Sequence, residues 1–216
     1  MHISNDRYFL DRERHDLALR MIRHEARTCT IRSCTGLTDD RIRRLYKTYA
    51  SHTLATPIRR RRGKSPRQPS YFVRNVRAQY ESSLLASTFS SFGLLLAQGE
   101  PAPEPIQFGR LFCDAFETHR QLVSNAHISF EHAWFLLQLL AQHAGLRATR
   151  CRRCDSLYLR DAMHAVRRTC PVCKLKGRTL KRFAEARPAA SQSIERPNSP
   201  TGVSSAVNIR PAPSPA

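Results

Sequence analysis

Two pairs of cysteines in the C-terminal third of the chain constrain its fold more than any other feature. Cys151 is followed by Cys154, Cys170 is followed by Cys173, and 15 residues separate the two pairs. This spacing is typical of a site in which four thiolates bind one metal ion. Because four protein ligands complete a tetrahedral coordination shell, we predict that these cysteines hold one structural zinc ion per chain.

Other interpretations of the cysteine pairs stay open. A redox dithiol would use a single pair, but it needs a thioredoxin-like βαβ pattern that the sequence lacks. An iron–sulfur cluster also binds four thiolates, although two evenly matched pairs favour zinc. His164 could in principle replace one cysteine ligand. Cys29, Cys34 and Cys113 have no partner at metal-ligand spacing, and we predict that they pack as small hydrophobic residues.

The charge of the chain indicates a polyanionic partner. The sequence contains 36 lysines and arginines against 17 aspartates and glutamates, which gives a formal net charge of +19. Basic side chains bind nucleic acid by releasing its condensed counterions, so nucleic acid is the leading partner class, with acidic membranes or proteins as the alternative. Cations around the cysteine pairs form a predicted phosphate-binding surface: Arg152, Arg153, Arg167, Arg168, Lys174, Lys176 and Arg178.

A second pattern, over residues 34–47, has the outline of a helix-turn-helix. Gly36 marks the turn, and Thr38 is the predicted N-cap of the following helix. Leu37 and Ile42 occupy the positions of a hydrophobic staple, which fixes the angle between turn and helix. We predict that the outward side chains Arg43, Arg44 and Lys47 contact DNA, the alternative being an ordinary helical hairpin with a solvated basic face.

Composition and periodicity predict a mainly α-helical fold with a helix-turn-helix-like N-terminal hairpin and a small C-terminal four-cysteine zinc-binding module. The predicted segments are a helical N-terminal part (1–50), a basic flexible connector (51–70), a helical core (71–148), the basic zinc module (149–187) and a disordered tail rich in proline and serine (188–216). Four residues share one face of the predicted first helix: Leu10, Leu17, Met21 and Thr28.

The predicted helical core consists of amphipathic stretches at about 74–97, 106–122 and 129–144. Ser129 is the predicted cap of the last stretch, and Gly145 is the predicted left-handed residue just after it. The connector before this core carries four consecutive arginines, which we predict to form an arm that touches phosphates, the alternative being a solvated loop. They are Arg59, Arg60, Arg61 and Arg62.

The sequence lacks the patterns of several other protein classes. No signal peptide is visible, and the apolar run at 133–141 is shorter than the roughly 20 residues of a membrane-spanning helix, so we predict a cytoplasmic protein without a membrane partner. His24-Glu25 is followed by Thr28 where a zinc protease needs histidine, and Lys64-Ser65 lacks the first glycine of a P-loop. We predict a protein that is not an enzyme.

The order of these features resembles the FlhC family of flagellar transcriptional activators. The resemblance is carried by the stretch Leu37 to Lys47, the basic proline-bearing connector, Ala133-Trp134 and the two cysteine pairs. It covers roughly residues 15–175.

The resemblance implies a bacterial cytoplasmic subunit that joins an FlhD-like partner in a hetero-oligomer, binds duplex promoter DNA and recruits RNA polymerase. It also implies that the four paired cysteines bind zinc. The denser arginines and the tail depart from better-known members, which leaves the target operons open between flagellum biogenesis and other genes. The alternative function is an RNA-binding zinc-ribbon protein, which favours stacking aromatic residues where the ribbon offers only Tyr158.

Overall fold

The structure is a computed structural model that describes residues 3–52, 58, 60, 61, 63, 65–95, 103–163 and 169–177. Its elements in chain order are α1 (Ile3–Arg23), α2 (Thr28–Thr35), α3 (Asp39–His52), a short 3-10 helix (Pro69–Phe72), α4 (Val76–Ser91), α5 (Pro105–Leu122), α6 (Phe130–Ala141), β1 (Leu146–Arg150) and β2 (Leu157–Asp161). This architecture confirms the predicted mainly α-helical class. No helix within these ranges has the length and apolarity needed to cross a lipid bilayer.

The N-terminal part contains three helices rather than the two predicted. The helix predicted to continue through Thr28 ends at Arg23. Glu25 then adopts the left-handed conformation with φ 57°, and the amide N–H of Ala26 donates to the carbonyl of Met21 across 3.1 Å. This pattern closes a helix C-terminus, so Thr28 begins a separate helix.

One hydrophobic cluster joins the N-terminal and central helices. It contains Ile31 and Ile42 from the first part of the chain together with Phe112 and Leu136 from the second. Gly109 allows α5 to lie close to α1 and α2, because an added Cβ atom would stand 2.8 Å from Leu17 Cδ2 and 2.9 Å from Cys34 Cβ. Segments 1–50 and 71–148 therefore share one core, while the predicted segment boundaries stay predictions.

Two buried glutamates connect elements that are distant in sequence. Glu131, in the first turn of α6, accepts the amide N–H of Arg27 at 2.7 Å and the hydroxyl of Thr30 at 3.1 Å, which caps α2. Glu81 of α4 accepts the amide N–H groups of His127 and Ile128 at 2.7 and 2.8 Å. Each carboxylate satisfies backbone donors that burial would otherwise leave without a partner.

The predicted ends of α6 are partly right. Ser129 caps the helix, because its hydroxyl accepts the amide N–H of His132 at 3.4 Å. At the other end, His143 rather than Gly145 takes the left-handed position that closes the helix, with φ 52° and the following Ala144 N–H donating to Leu139 across 2.9 Å. Gly145 also has a positive φ, but it lies in the turn into β1.

Strands β1 and β2 form an antiparallel hairpin that carries the cysteine region. Consecutive residues of a strand face opposite sides of a sheet, and β2 uses both sides. Leu159 is fully buried in the helical core, whereas the neighbouring Tyr158 is buried against Cys151, Cys170 and Cys173. The hairpin therefore belongs to two apolar clusters at once.

Candidate metal centre and basic surface

The four paired cysteines meet at the turn end of the β hairpin, where Cys151 and Cys154 lie between β1 and β2. Their Sγ atoms all lie within 4.8 Å of one another, and the Sγ atoms of Cys154 and Cys170 are 3.6 Å apart. Sulfur atoms about 2.3 Å from a tetrahedral metal ion are about 3.8 Å apart. The predicted ligand residues therefore lie at separations that one metal ion can bridge.

The first pair sits in a tight turn that continues β1. The amide N–H of Cys151 donates to the carbonyl of Ser156 across 3.0 Å, and the N–H of Asp155 donates to the carbonyl of Cys151 across 2.8 Å. Asp155 adopts φ 55°, a left-handed conformation that short polar residues tolerate better than most. The amide of Arg153 then points at Cys151 Sγ, at 3.4 Å.

The second pair begins a short helical stretch at 171–177. Pro171 occupies its first position, where a missing N–H costs nothing. The amide N–H of Cys170 donates to Cys151 Sγ across 3.2 Å, and that of Cys173 donates to Cys170 Sγ across 3.4 Å. Backbone N–H groups aimed at sulfur stabilise thiolates, the form of cysteine that binds metals.

Hydrogen bonds and burial divide the four thiols into two kinds, one with a lowered pKa and one with a raised pKa. The N–H of Cys170 lowers the pKa of Cys151 to about 6, and the hydroxyl of Ser156 lowers the pKa of Cys154. Burial raises the pKa of Cys170, while the hydrogen bond with Cys154 raises the pKa of Cys173 to about 12. A bound cation would favour the thiolate form at all four positions and release the remaining protons.

The donor set fits a closed structural metal site. All four ligand atoms are thiolate sulfurs, which suit zinc or an iron–sulfur cluster better than magnesium or calcium. Cys151, Cys170 and Cys173 are buried, and Cys154 alone of the four is exposed. The cysteine region is thus compatible with a metal ion that supports the fold without an open coordination position.

Helices α2 and α3 form the predicted helix-turn-helix-like hairpin. Gly36 provides the turn with φ 69°, and Thr38 Oγ1 accepts the amide N–H of Arg41 at 3.4 Å. Leu37 and Ile42 are both buried in the core, as the predicted staple requires. The tyrosine hydroxyl of Tyr46 donates to the carbonyl of Ala26, which fastens α3 to the turn after α1.

The predicted DNA-contact residues of α3 are exposed but differ in their surroundings. Arg43 donates to the carboxylate of Asp40 across 2.6 Å, which neutralises part of its charge. Arg44 and Lys47 also face solvent. In the connector, Arg61 pairs with Glu25 at 2.8 Å.

Arg60, also in the connector, donates to Thr28 Oγ1 across 3.2 Å. The described part of the connector is therefore held against the helical core through Arg60, Arg61 and the carbonyl of Gly63, which accepts a hydrogen bond from Arg27. Five predicted contact residues and one alternative ligand lie outside the described residues: Arg59, Arg62, Arg167, Arg168, Arg178 and His164. The predicted tail at 188–216 also lies outside them.

The cysteine region carries its own described cations. Arg152 and Arg153 lie in the first turn and are exposed, while Lys174 and Lys176 lie in the second helical stretch, half-buried and exposed respectively. The geometry also brings in residues that sequence reasoning missed. Ser156 contacts Cys154 Sγ at 3.4 Å, but a serine two residues after a cysteine carries no signal of that contact in a single sequence.

A family model described as flagellar transcriptional activator (FlhC) matches residues 5–186 of the chain. The match spans the elements from α1 to the helical stretch at 171–177 and includes all four clustered cysteines. No curated protein matches the chain.

Proposed function

The chain belongs to the FlhC family of flagellar transcriptional activators, and on that basis we propose that it is a zinc-stabilised subunit that binds duplex promoter DNA together with an FlhD-like partner and recruits RNA polymerase. Transcription regulation follows from the family itself. The proposal adds four points to the family assignment: a bound zinc ion, contact with DNA, assembly with a partner and location in the bacterial cytoplasm.

Zinc is the proposed metal because the ligand set consists of four thiolates in two matched turns. Zinc prefers tetrahedral sulfur coordination and needs no redox partner. The proposed stoichiometry is one ion per chain, held by Cys151, Cys154, Cys170 and Cys173. The ion performs no chemical step in this proposal, since it stabilises the region that presents basic side chains.

The observation that carries the DNA-binding proposal is the position of the cysteine cluster inside a basic surface of a strongly cationic chain. Arg152, Arg153 and Lys176 are exposed on the two turns that hold the sulfur atoms. The net charge of +19 supplies affinity for the DNA backbone that does not depend on base sequence. A partner subunit would then set the spacing of the sites along the duplex.

The test combines elemental analysis with DNA binding. Purified protein, co-expressed with an FlhD-like partner, is expected to contain one zinc per chain and to shift duplex promoter DNA in a gel. Replacing Cys154 with serine is expected to remove the zinc and to weaken the DNA shift. Cys29→Ser is the matched control, because Cys29 is also exposed but lies outside the cluster.

Three outcomes contradict the proposal in different ways. Absence of zinc from protein purified without chelators contradicts the metal assignment. Binding of single-stranded RNA in preference to duplex DNA at matched salt favours the alternative RNA-binding function, although Tyr158 is only 1% exposed and offers no stacking surface. Magnesium-dependent cleavage of labelled DNA would reveal an enzyme instead.

A further inference from the structure

A cleft of about 450 Å³ lies between α4 and the cysteine region. One wall comes from the 3-10 helix and the start of α4, and the opposite wall comes from β2 and the second cysteine turn. The polar and charged residues that line it include Ser70, Arg74, Asn75, Arg160, Thr169 and Lys174. We call this feature the α4 basic cleft.

Arg74 is held at the cleft by an aromatic stack. Its guanidinium lies 4.6 Å from the ring centre of Tyr71, and Tyr71 in turn stacks on His132 with ring centres 4.3 Å apart. A guanidinium that is ordered by a ring keeps its full charge and loses little further freedom when it binds a ligand. Within the described ranges, Arg74 makes no ion pair with a carboxylate.

The opposite wall adds two further cations. Arg160 of β2 is oriented by Thr149, whose hydroxyl accepts its Nε–H at 3.2 Å. Lys174 directly follows Cys173 in the second cysteine turn. Asp161 also lines the cleft, and its carboxylate accepts the amide N–H of Met163 at 2.9 Å. Among the described residues, the lining thus has three basic groups against one acidic group.

A second cavity, of about 420 Å³, adjoins the cleft across Arg74 and Asn75. Arg77 and His127 line it, and Arg77 donates to the carbonyl of Asn125 across 3.2 Å. Glu81 also lines this cavity, but its Oε1 already accepts two backbone N–H groups. The basic surface therefore continues around the first turn of α4.

Arg74 contrasts with several arginines of the N-terminal helices. Arg20 pairs with Asp114 and Glu117 at 2.6 Å, and Arg43 pairs with Asp40 at 2.6 Å. A carboxylate beside an arginine competes with an incoming phosphate and lowers the local positive potential. Arg74 forms no ion pair with a carboxylate in the described part of the chain, which favours the α4 basic cleft as a phosphate site.

We propose that the α4 basic cleft binds backbone phosphates of duplex DNA, with Arg74 on the wall formed by the start of α4, and Arg160 and Lys174 on the opposite wall. This inference rests on the proposed function and assigns a contact surface to it. Lys174 is placed by the cysteine cluster, whereas Arg74 is placed by helices. Metal binding therefore controls the position of Lys174, whereas Arg74 and Arg160 stay in place because β2 is attached to α4.

The test measures DNA affinity of the full-length, metal-loaded protein with its partner over a range of salt concentrations. Each of Arg74→Gln, Arg160→Gln and Lys174→Gln is expected to weaken duplex binding on the order of five-fold and to reduce the slope of log affinity against log salt by about 0.9. Arg12→Gln is the matched control, since it removes the same charge from an exposed site on α1. Thermal melting curves establish that the variants are folded.

The design separates this inference from the proposed function. Wild-type protein that fails to bind duplex DNA overturns both. If the wild type binds duplex DNA and the three cleft variants bind it equally well, the cleft proposal is wrong and the proposed function still holds. The same conclusion follows if Arg12→Gln weakens binding as much as the cleft variants do. Cleft variants that bind single-stranded RNA more weakly but bind duplex DNA as the wild type does would also contradict the cleft proposal. Saturable binding of inorganic phosphate alone at micromolar concentration, abolished in Arg74→Gln, would assign the cleft to a small anion instead.

A chelation arm tests the role of the metal. After zinc removal, Lys174→Gln is expected to bind DNA as tightly as chelated wild type, while Arg74→Gln is still expected to weaken any residual binding. If Lys174→Gln weakens DNA binding by the same factor with and without zinc, the metal does not control the position of Lys174.

Discussion

The amide N–H of Leu159 donates a hydrogen bond to the hydroxyl of Ser83 across 2.9 Å, and both residues are buried. The carbonyl of Leu159 accepts a second bond from Gln79 Nε2 at 2.7 Å. Side chains of α4 therefore occupy the edge of β2 that β1 leaves open. An isolated two-stranded hairpin is marginal in water, so this attachment positions the cysteine region on the helical core.

Replacing Ser83 with alanine should detach this edge. The buried N–H of Leu159 would lose its acceptor, which costs about 1–3 kcal/mol. We expect the free energy of unfolding, measured in urea, to fall by that amount. Ser87→Ala is the matched control, because the Ser87 hydroxyl only bonds to the carbonyl of Ser83 within the same helix. Equal effects of the two substitutions would show that the hydroxyl of Ser83 has no role in the attachment.

Replacing Gly109 with alanine should destabilise the protein despite the better helix propensity of alanine. The gain in propensity is about 1 kcal/mol, whereas forcing a methyl group into a packed core costs about 1–3 kcal/mol. The new Cβ would meet Cys34 Cβ at 2.9 Å, and because a Cβ atom is fixed by its backbone, α2 and α5 must move apart. We expect a lower melting temperature.

Gly177→Ala provides the comparison for this substitution. Among the described residues, an added Cβ at Gly177 would meet only Arg153 Nη1, at 3.7 Å, which is an ordinary contact. We therefore expect its melting temperature to stay near that of the wild type. A stabilised Gly109→Ala variant would mean that α2 and α5 are not in close contact.

Glu117 should make stability depend on pH in the acid range. The hydrogen bonds from Arg20 lower the pKa of Glu117 from 4.5 to about 2, so its stabilising contribution is complete above pH 4.5 and is lost as pH falls towards 2. Glu117→Gln should therefore destabilise the protein near neutral pH, and the gap to wild type should narrow as pH falls below 4.5.

Urea midpoints at a series of pH values measure this gap. Glu104→Gln is the control, because Glu104 is exposed and makes no capping hydrogen bond to α5. Its difference from wild type is expected to stay nearly constant over the same range. A gap for Glu117→Gln that widens on acidification would contradict the low pKa.

Thiol labelling should separate the seven cysteines into three groups. Cys29 is exposed and should react first in the metal-loaded protein, since burial raises the pKa of Cys34 and Cys113 to about 12. Removing the metal with a chelator should then allow the alkylating reagent to react with Cys154 and the other three cysteines of the cluster. Mass spectrometry after brief alkylation near neutral pH measures the fraction of each cysteine that has reacted. Labelling of Cys34 before Cys29 would contradict the burial pattern.

Local sequence patterns were sufficient for the central helices. The apolar periodicity at 106–122 and 129–144 corresponds closely to α5 and α6, because each helix buries one face against the core. Ser129 was predictable as a cap since its hydroxyl acts on a residue three positions away. The cysteine spacing likewise predicted which side chains would meet, although the bound metal itself stays a proposal.

The remaining features depend on contacts that a single sequence does not reveal. The break between α1 and α2 has no glycine or proline, and α2 is capped by Glu131 across 104 residues of chain. The α4 basic cleft has the same origin, because Arg74 and Arg160 are isolated in the sequence and meet only when β2 attaches to α4. By contrast, the run of consecutive arginines in the connector is conspicuous in the sequence, but it includes Arg61, which pairs with a carboxylate.

Strand β2 buries side chains on both of its faces, and this also limits how the region can change in evolution. Tyr158 lies against the sulfur atoms and Leu159 lies in the helical core. Inserting one residue before position 158 would exchange the two sides, placing the phenol among helices and the leucine beside the cysteines. Such an indel would damage the core and the cysteine cluster in one event. We therefore expect homologous chains to vary in length outside β2, and substitutions at 158 and 159 to be accepted or rejected by separate selective pressures.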